Sequence, residues 1–447
     1  MTGRWDLEHT APGPARRGTR LDARELGFGV AARAPNRIME RKMMSDQPKV
    51  RVLLLESIHP DAVSRLEEDG FQVESLRNAL DEVELIERIS GVNLLGIRSK
   101  TQVTAKVLEA ADKLVGIGAF CIGTDQIDLA AASAGGVAVF NAPFSNTRSV
   151  VELAIAEIIS LTRRLTEKNT LMHAGVWDKS ADGAHEIRGR RLGIVGYGNI
   201  GTQLSVLAEN LGMSVSFYDT ADKLALSNAH RCASLDELLE SSDFVTLHVD
   251  GRPGNAGFFG AEQFAKMRPG SLFLNLSRGI VVDHLALRDA LKSGRLAGAA
   301  VDVFPAEPKG RGDEFLSELR GLPNVILTPH IGGSTEEAQS DIGGFVANKL
   351  AKFVTEGNTT LSVNLPGVTL PELPGMHRIV HMHKNTPGVL AQVNRILAEH
   401  NVNVEGQMLS TRGEYGYLIT DIARGYPDEV LDQLRDMEQT VRLRVLN

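Results

Sequence analysis

Cysteine is scarce in this 447-residue chain, which limits the kinds of site that the chain can build. Cys121 and Cys232 are the two cysteines, and neither belongs to a CxxC pair or to the His/Cys spacing of a metal-ligand set. We therefore expect neither a disulfide framework nor a metal site. Apolar runs are short as well, below the ~18 consecutive residues that predict a membrane-spanning helix, so no membrane association is expected.

Positive charge is also limited, because 48 Lys and Arg residues face 56 Asp and Glu residues, for a net charge of −8. Without a broad positive field the chain is not expected to bind nucleic acid, and a few local arginines would have to bind any anionic substrate. Aromatic residues make up 5% and hydrophobic residues 43%, with 44 glycines. This composition is typical of a soluble α/β protein, for which we expect a cytoplasmic location.

The hydrophobic pattern divides the chain into segments. From Val50 onward, short apolar runs alternate with amphipathic stretches, which predicts doubly wound parallel sheets. One long helix is expected from Ser149 to His173, between two such series. Residues 1–47 lack periodicity, and we interpret them as an extension that is disordered or not translated. Residues 361–375 hold three Pro and two Gly and predict a linker, and 376–447 follow the ferredoxin-like order βαββαβ.

A glycine-rich turn suggests a dinucleotide site. An apolar strand enters this turn, an amphipathic helix leaves it, and the next strand ends at Asp219. Glycines let the backbone approach a pyrophosphate at the helix N-terminus, while a carboxylate binds the ribose hydroxyls and repels a 2′-phosphate. The pattern therefore predicts NAD rather than NADP, the alternative being a tight turn without a ligand. The turn consists of Gly196, Tyr197, Gly198, Asn199, Ile200 and Gly201.

Three polar residues follow later strands, at the edge where open α/β sheets bind their ligands. Arg278 can bind a carboxylate through two hydrogen bonds, and His330 can accept the hydroxyl proton of an alcohol undergoing oxidation. Glu307 can fix the histidine tautomer and favour its protonated form. Taken singly, each has a plain explanation as a surface charge, a loop carboxylate or a strand-end hydrogen-bonding group. Together, downstream of a dinucleotide motif, they predict a dehydrogenase site.

The motifs GYGNIG, NLSRG, DVFPAEP and TPHIGGS, in this order, resemble those of the D-isomer-specific 2-hydroxyacid dehydrogenases. IRSKT (97–101), NAPFSNTRSVVEL (141–153) and HMHKNTPGVLAQV (381–393) resemble the branch of this family that acts on 3-phospho-D-glycerate and carries an ACT domain. The resemblance implies a Rossmann NAD lobe inserted in a flavodoxin-like substrate lobe, followed by the ACT domain. The implied boundaries are 148–334 for the NAD lobe, 48–147 with 335–360 for the substrate lobe, and 376–447 for the ACT domain.

The resemblance also implies residue roles. Arg278 would bind the substrate carboxylate and keto oxygen, Glu307 would support the histidine, and His330 would exchange the proton. The substrate phosphate would meet Arg77, Arg98, Ser99, Asn146 and Lys179, for which solvated surface positions are the alternative. L-serine would bind between two ACT domains at His383 and Asn385, with Asn403 from the neighbouring subunit. NAD contacts would fall on Gly196, Gly198, Asn199, Ile200, Gly201, Asp219, Leu276, Ser277, Asp302, Ile331, Gly332 and Gly333.

The implied activity is NAD-dependent oxidation of 3-phospho-D-glycerate to 3-phosphohydroxypyruvate, at the start of L-serine biosynthesis, by a homotetramer that serine inhibits. Reduction of 2-oxoglutarate to 2-hydroxyglutarate is an expected side activity. The alternatives are a dehydrogenase for another D-2-hydroxyacid, such as a glyoxylate or hydroxypyruvate reductase, and a non-catalytic NAD-sensing corepressor. The segment His248-Val249-Asp250 departs from the His-Val-Pro that is common in the family, which leaves the shape of that loop open.

Overall fold

The computed structural model describes residues 49–308, 312–371 and 373–446, and our expectation for residues 1–47 lies outside them. Within these ranges the strands form three sheets, of five, seven and four strands. Every helix in the described ranges is too short or too polar to cross a membrane.

The first sheet is parallel, with the strand order β2-β1-β3-β4-β5. β3 and β4 are completely buried, as expected for strands covered by helices on both faces. In chain order its elements are β1 (Arg51–Leu54), α1 (Pro60–Glu68), β2 (Gln72–Ser75), α2 (Glu82–Arg88), β3 (Leu94–Ile97), α3 (Ala105–Ala110), β4 (Gly116–Ala119), α4 (Leu129–Ala134) and β5 (Ala138–Asn141).

The expectation of one helix from Ser149 to His173 is wrong, because two helices occupy this stretch: α5 (Thr147–Thr162) and α6 (Leu165–His173). Arg164 separates them in the left-handed conformation, with φ 51°. α5 buries an apolar face that includes Val150 and Ile158, whereas every side chain of α6 is at least partly exposed. The apolar periodicity ends at Leu161, so the second helix has no core face to keep it in line with the first.

The second sheet is also parallel, with the order β12-β11-β10-β9-β6-β7-β8. Its strand order reverses between β6 and β9, and a ligand crevice is expected at such a point. Its elements are β6 (Arg191–Val195), α7 (Asn199–Asn210), β7 (Ser214–Tyr218), β8 (His230–Arg231), α8 (Leu235–Ser241), β9 (Phe244–Leu247), α9 (Ala261–Lys266), β10 (Ser271–Asn275), α10 (His284–Lys292), β11 (Leu296–Val301) and β12 (Val325–Leu327).

A long helix, α11 (Glu336–Glu356), then returns the chain to the first sheet. Thr335 caps its N-terminus by accepting the N–H of Ala338, and Gly357 ends it in the left-handed conformation with φ 71°. The helix packs against α1 and β4, and its apolar side chains share a core with those of the first sheet. Chain segments on both sides of the second sheet therefore build the first lobe, as the resemblance implies, although the exact boundaries stay a prediction.

The third sheet is antiparallel, with the order β14-β15-β13-β16, and it confirms the βαββαβ arrangement. One face packs on its two helices in a separate core, and the other face joins the core of the first sheet. Its elements are β13 (His377–Lys384), α12 (Val389–Glu399), β14 (Val404–Arg412), β15 (Tyr415–Ile422), α13 (Asp428–Arg435) and β16 (Thr440–Leu446).

Besides this apolar contact, the junction between the third sheet and α11 contains arginine side chains that donate to main-chain carbonyls. Arg444 Nη2 donates to the carbonyls of Phe353 and Val354 at 2.9 and 3.0 Å, while its guanidinium lies 4.4 Å from the Phe353 ring centroid. Arg378 donates to the Glu356 carbonyl at 2.9 Å. Because the last carbonyls of a helix carry partial negative charge, arginines are well suited to bind them.

The segment 361–375, predicted as a linker, is tied to the first sheet in its first half. Val363 donates its N–H to the Val139 carbonyl at 2.8 Å, and the Asn364 side chain accepts the Val139 N–H at 2.8 Å. Leu365 is 1% exposed. This segment lacks periodicity because its backbone follows an irregular path, although its first half packs against the core of the first sheet.

Candidate active site

The glycine-rich turn lies directly after β6 and has the geometry of an anion site. Gly196 has φ +92°, and a Cβ at this position would lie 2.6 Å from the His248 carbonyl oxygen, so a larger residue does not fit. Gly198 occupies the N-cap position of α7, with open space where a Cβ would be. Glycine has no side chain to accept from the first-turn N–H groups, which leaves these groups to bind a phosphate.

Asp219 follows β7 and faces this turn. Its carboxylate accepts the N–H of Tyr197 and the N–H of Ala221, each at 2.8 Å, which fixes its position beside the glycines. A carboxylate placed here can bind ribose hydroxyls and repel a 2′-phosphate. The turn and Asp219 therefore fit the adenosine and pyrophosphate parts of NAD.

His330 and Glu307 form a hydrogen-bonded pair, with 2.9 Å between Nδ1 and Oε2. The bond to Glu307 raises the pKa of His330, against the opposing effect of burial. Burial disfavours ionisation of Glu307, but the hydrogen bond and charge of His330 outweigh it and lower the pKa of the carboxyl. The side chains are 46% and 38% exposed, so a small substrate can reach the imidazole.

Asp302 holds the backbone that carries the histidine. Its two carboxylate oxygens accept the N–H groups of Ile331 and Gly332, each at 2.8 Å, and Thr328 Oγ1 donates to it at 2.6 Å. His330 itself adopts the left-handed conformation, with φ 54°. Asp302, which the sequence assigned to NAD binding, is 1% exposed and supports this turn in the structure.

Arg278 lies beside the histidine pair and reaches toward the first lobe. Its Nε is 4.0 Å from Asp125 Oδ2, in the loop after β4, and its charge contributes to lowering the pKa of Glu307. Asn275, which the sequence analysis missed, donates to the Arg278 carbonyl at 3.2 Å and so shapes this turn. The sequence analysis missed Asp125 as well. Asn275 ends β10 and Asp125 lies in the loop after β4, and a position at the end of a strand is the signal that could have found both.

The segment His248-Val249-Asp250, which differs from the His-Val-Pro common in the family, has a defined shape. Arg252 Nε donates to Asp250 Oδ1 at 2.7 Å, and this bond lowers the pKa of Asp250. A Cβ on Gly251 would lie 3.0 Å from Arg278 Cγ, so the loop packs closely against the arginine.

The residues predicted to bind the phosphate are not all brought together. Arg77 and Arg98 follow β2 and β3, the two strands that flank β1, and Ser99 follows Arg98. Asn146 precedes α5, and its side chain lies against Gly333. Lys179 is exposed after α6, and within the described part of the chain no contact joins it to these arginines.

The residues predicted to bind serine lie around the third sheet. His383, at the end of β13, is 2% exposed, and Asn385 donates to the Gly413 carbonyl at 3.1 Å. Asn403 lies before β14 and donates to Glu405 Oε1 at 2.7 Å. Across the described ranges, no group of three or more His, Cys, Asp or Glu side chains is arranged to hold a metal ion.

A dinucleotide turn with its acidic residue, together with a His/Glu pair and an arginine at neighbouring strand ends, defines an NAD-dependent dehydrogenase. Residues 155–332 match the family model "D-isomer specific 2-hydroxyacid dehydrogenase, NAD binding domain", and residues 379–442 match "AHAS small subunit-like ACT domain". The chain therefore belongs to the D-isomer-specific 2-hydroxyacid dehydrogenase family and carries a C-terminal ACT domain. The relatives described next support the same assignment.

Two relatives match almost the whole chain. A D-3-phosphoglycerate dehydrogenase of Haemophilus influenzae is 48% identical over 409 residues, which cover 91% of this chain and 100% of the relative. A protein of the same name from Dictyostelium discoideum is 50% identical over 398 residues, covering 89% and 97%. Among solved structures, an NAD-dependent formate dehydrogenase from Staphylococcus aureus in complex with NAD has a TM-score of 0.60 at 26% identity, covering 68% of this chain and 95% of that one.

Proposed function

We propose that the chain oxidises 3-phospho-D-glycerate to 3-phosphohydroxypyruvate with NAD, as the first step of L-serine biosynthesis in the cytoplasm. The observation that carries the choice of substrate is the pair Arg77 and Arg98, placed at the ends of the two strands that flank β1. A substrate with a carboxylate at one end and a phosphate at the other needs cationic groups for both, and Arg278 serves the carboxylate. The names of the relatives support the same substrate.

The chemistry is divided among three side chains. Arg278 binds and orients the substrate carboxylate. His330 accepts the hydroxyl proton at Nε2, because its Nδ1 is engaged with Glu307, and Glu307 stabilises the imidazolium that results. Bound NAD supplies the hydride acceptor.

The direct test follows NADH formation from 3-phospho-D-glycerate, with a coupling reaction that removes the product. Turnover with this substrate, well above that of its unphosphorylated analogue, is the expected result. Reduction of glyoxylate or hydroxypyruvate without turnover of the phosphorylated acid would instead assign the chain to the smaller hydroxyacids. Arg278→Ala protein that keeps its biological role without turnover would favour the corepressor alternative.

The regulatory part of the proposal concerns the ACT domain. We propose that L-serine binds at His383 and Asn385, completed by Asn403 of the neighbouring subunit in a homotetramer, and inhibits the enzyme. The left-handed Gly388 at the start of α12 provides a backbone turn for the serine carboxylate. Asn385→Ala protein is expected to need more serine for half inhibition at unchanged kcat.

Reduction of 2-oxoglutarate to 2-hydroxyglutarate is proposed as a side activity. The distal carboxylate of 2-oxoglutarate would bind where the phosphate of the main substrate binds.

A further inference from the structure

The turn that ends β1 is strained in a way that the proposed mechanism does not use. Glu56 and Ser57 are consecutive and both adopt the left-handed conformation, with φ 64° and 53°. Neither is glycine, so each carries backbone strain, and such a conformation persists only where the surroundings enforce it. Glu56 is also 8% exposed, which is unusual for a carboxylate.

The Glu56 carboxylate organises the loop that begins with Arg98. Its Oε1 accepts the N–H groups of Arg98 and Thr101 at 3.2 and 2.8 Å, and its Oε2 accepts the N–H of Lys100 at 3.0 Å. On the other side of the loop, the Gln126 side-chain amide donates to the Arg98 carbonyl. The backbone of Arg98 is thus held from both sides.

The same turn also holds the Arg77 segment. Ser57 Oγ donates to the Arg77 carbonyl at 3.1 Å, and Ser57 N–H donates to the Leu76 carbonyl at 3.2 Å. Glu56 N–H donates to the Asn78 carbonyl at 3.2 Å. Because β1 lies between β2 and β3 in the sheet, its end can reach the segments that follow both strands.

We propose that Glu56 and Ser57 are positioning residues that fix the separation of Arg77 and Arg98, and so select substrates with a second anionic group distant from the reacting carbon. This inference rests on the proposed function, since it takes the two arginines as the site of the distal phosphate. The strained turn gives both arginine backbones a common support. A preorganised pair of arginines binds a phosphate without the cost of ordering two loops.

The test compares 3-phosphohydroxypyruvate with hydroxypyruvate, which is the same ketoacid without its phosphate, in NADH-dependent reduction. Glu56→Gln keeps the size of the side chain but replaces one acceptor oxygen with a donor that faces a backbone N–H. We expect KM for the phosphorylated substrate to rise about tenfold or more, with kcat and the hydroxypyruvate parameters within about twofold of wild type. Glu67→Gln, with the same charge change on the exposed side of α1, is the control and should match wild type.

Each outcome has a defined meaning. Equal losses on both substrates, or no change on either, would overturn the positioning role. If the wild-type enzyme itself shows no preference for the phosphorylated substrate, the proposed function fails instead. Should Glu56→Gln not fold, Ser57→Ala removes only the bond to the Arg77 carbonyl. A smaller but phosphate-selective rise in KM would then support the inference, and an unchanged ratio of the two KM values would overturn it.

Discussion

At the scale of single residues, the hydrogen bond that His330 Nδ1 donates to Glu307 Oε2 favours the protonated imidazole. Glu307→Gln removes the charge that favours the imidazolium, so the pKa of His330 should fall. Oxidation needs the neutral imidazole, and the acidic limb of its kcat/KM profile should therefore shift to lower pH. We expect kcat to drop at least about tenfold as well, because the histidine loses its orienting partner. If the acidic limb of the kcat/KM profile lies at the same pH in Glu307→Gln and in the wild type, the prediction is wrong.

A second residue-scale prediction concerns Glu157 on α5, which is 2% exposed. Among the described residues none donates to its carboxyl oxygens, and burial, assisted by the charge of Asp302, raises its pKa to about 8. The folded state thus holds a proton that the unfolded chain releases near pH 4.5. The contribution of this proton to the free energy of unfolding is therefore complete below pH 4.5 and is lost as the pH rises to about 8.

Urea denaturation at several pH values checks this prediction. Over that range the free energy of unfolding of the wild type should fall relative to that of Glu157→Gln by roughly 1 kcal/mol per pH unit. Glu152→Gln changes an exposed carboxylate on the same helix and should follow the wild type. Parallel curves for the wild type and Glu157→Gln would show that the carboxyl is solvated.

At the scale of elements, the sequence predicts the positions of strands better than it predicts breaks between helices. Apolar runs predicted most strands of the two parallel sheets, and the βαββαβ order of the third, because burial on a sheet imposes a regular pattern. The edge strands β2 and β8 were missed, because they are largely exposed and lack an apolar run. The end of the apolar periodicity at Leu161 is the one sign of the break at Arg164, and the left-handed conformation of this arginine is set by its surroundings. Residues whose chemistry is distinctive, such as His330, were predicted, but Glu56 acts through backbone N–H groups, which no motif records.

The end of α11 provides a prediction at this scale. Gly357 has φ 71°, and a Cβ there would lie 2.6 Å from Val380 Cγ2 on β13. Gly357→Ala should therefore lower the free energy of unfolding by about 1–2 kcal/mol. Gly344→Ala is a matched control within the same helix, where nothing lies within 4 Å of the added Cβ, and it should be neutral or stabilising. Thermal unfolding of the full chain measures both, and equal Tm values would contradict the prediction.

At the scale of the whole molecule, arginines that bind carbonyls reinforce the apolar contact between the ACT domain and the first lobe. Burial lowers the pKa of Arg444, whose guanidinium joins β16 to the end of α11. Arg444→Gln should loosen this attachment and speed proteolysis between residues 361 and 375, with kcat in the absence of serine little changed. Arg435→Gln, on the exposed side of α13, is the control. Equal cleavage rates would show that other contacts hold the domain.

α11 also has a mechanical consequence. Its cap residue Thr335 follows the Ile331–Gly333 turn beside His330 and shares a hydrogen bond of 2.9 Å with Ser149, while at its other end the Gly357 carbonyl accepts the Tyr417 hydroxyl at 2.8 Å. A helix of 21 residues is about 30 Å long, so a small change of its direction at one end becomes a larger displacement at the other. A tilt of about 5° at the ACT end would displace the catalytic end by about 3 Å, far enough to separate an imidazole from its substrate.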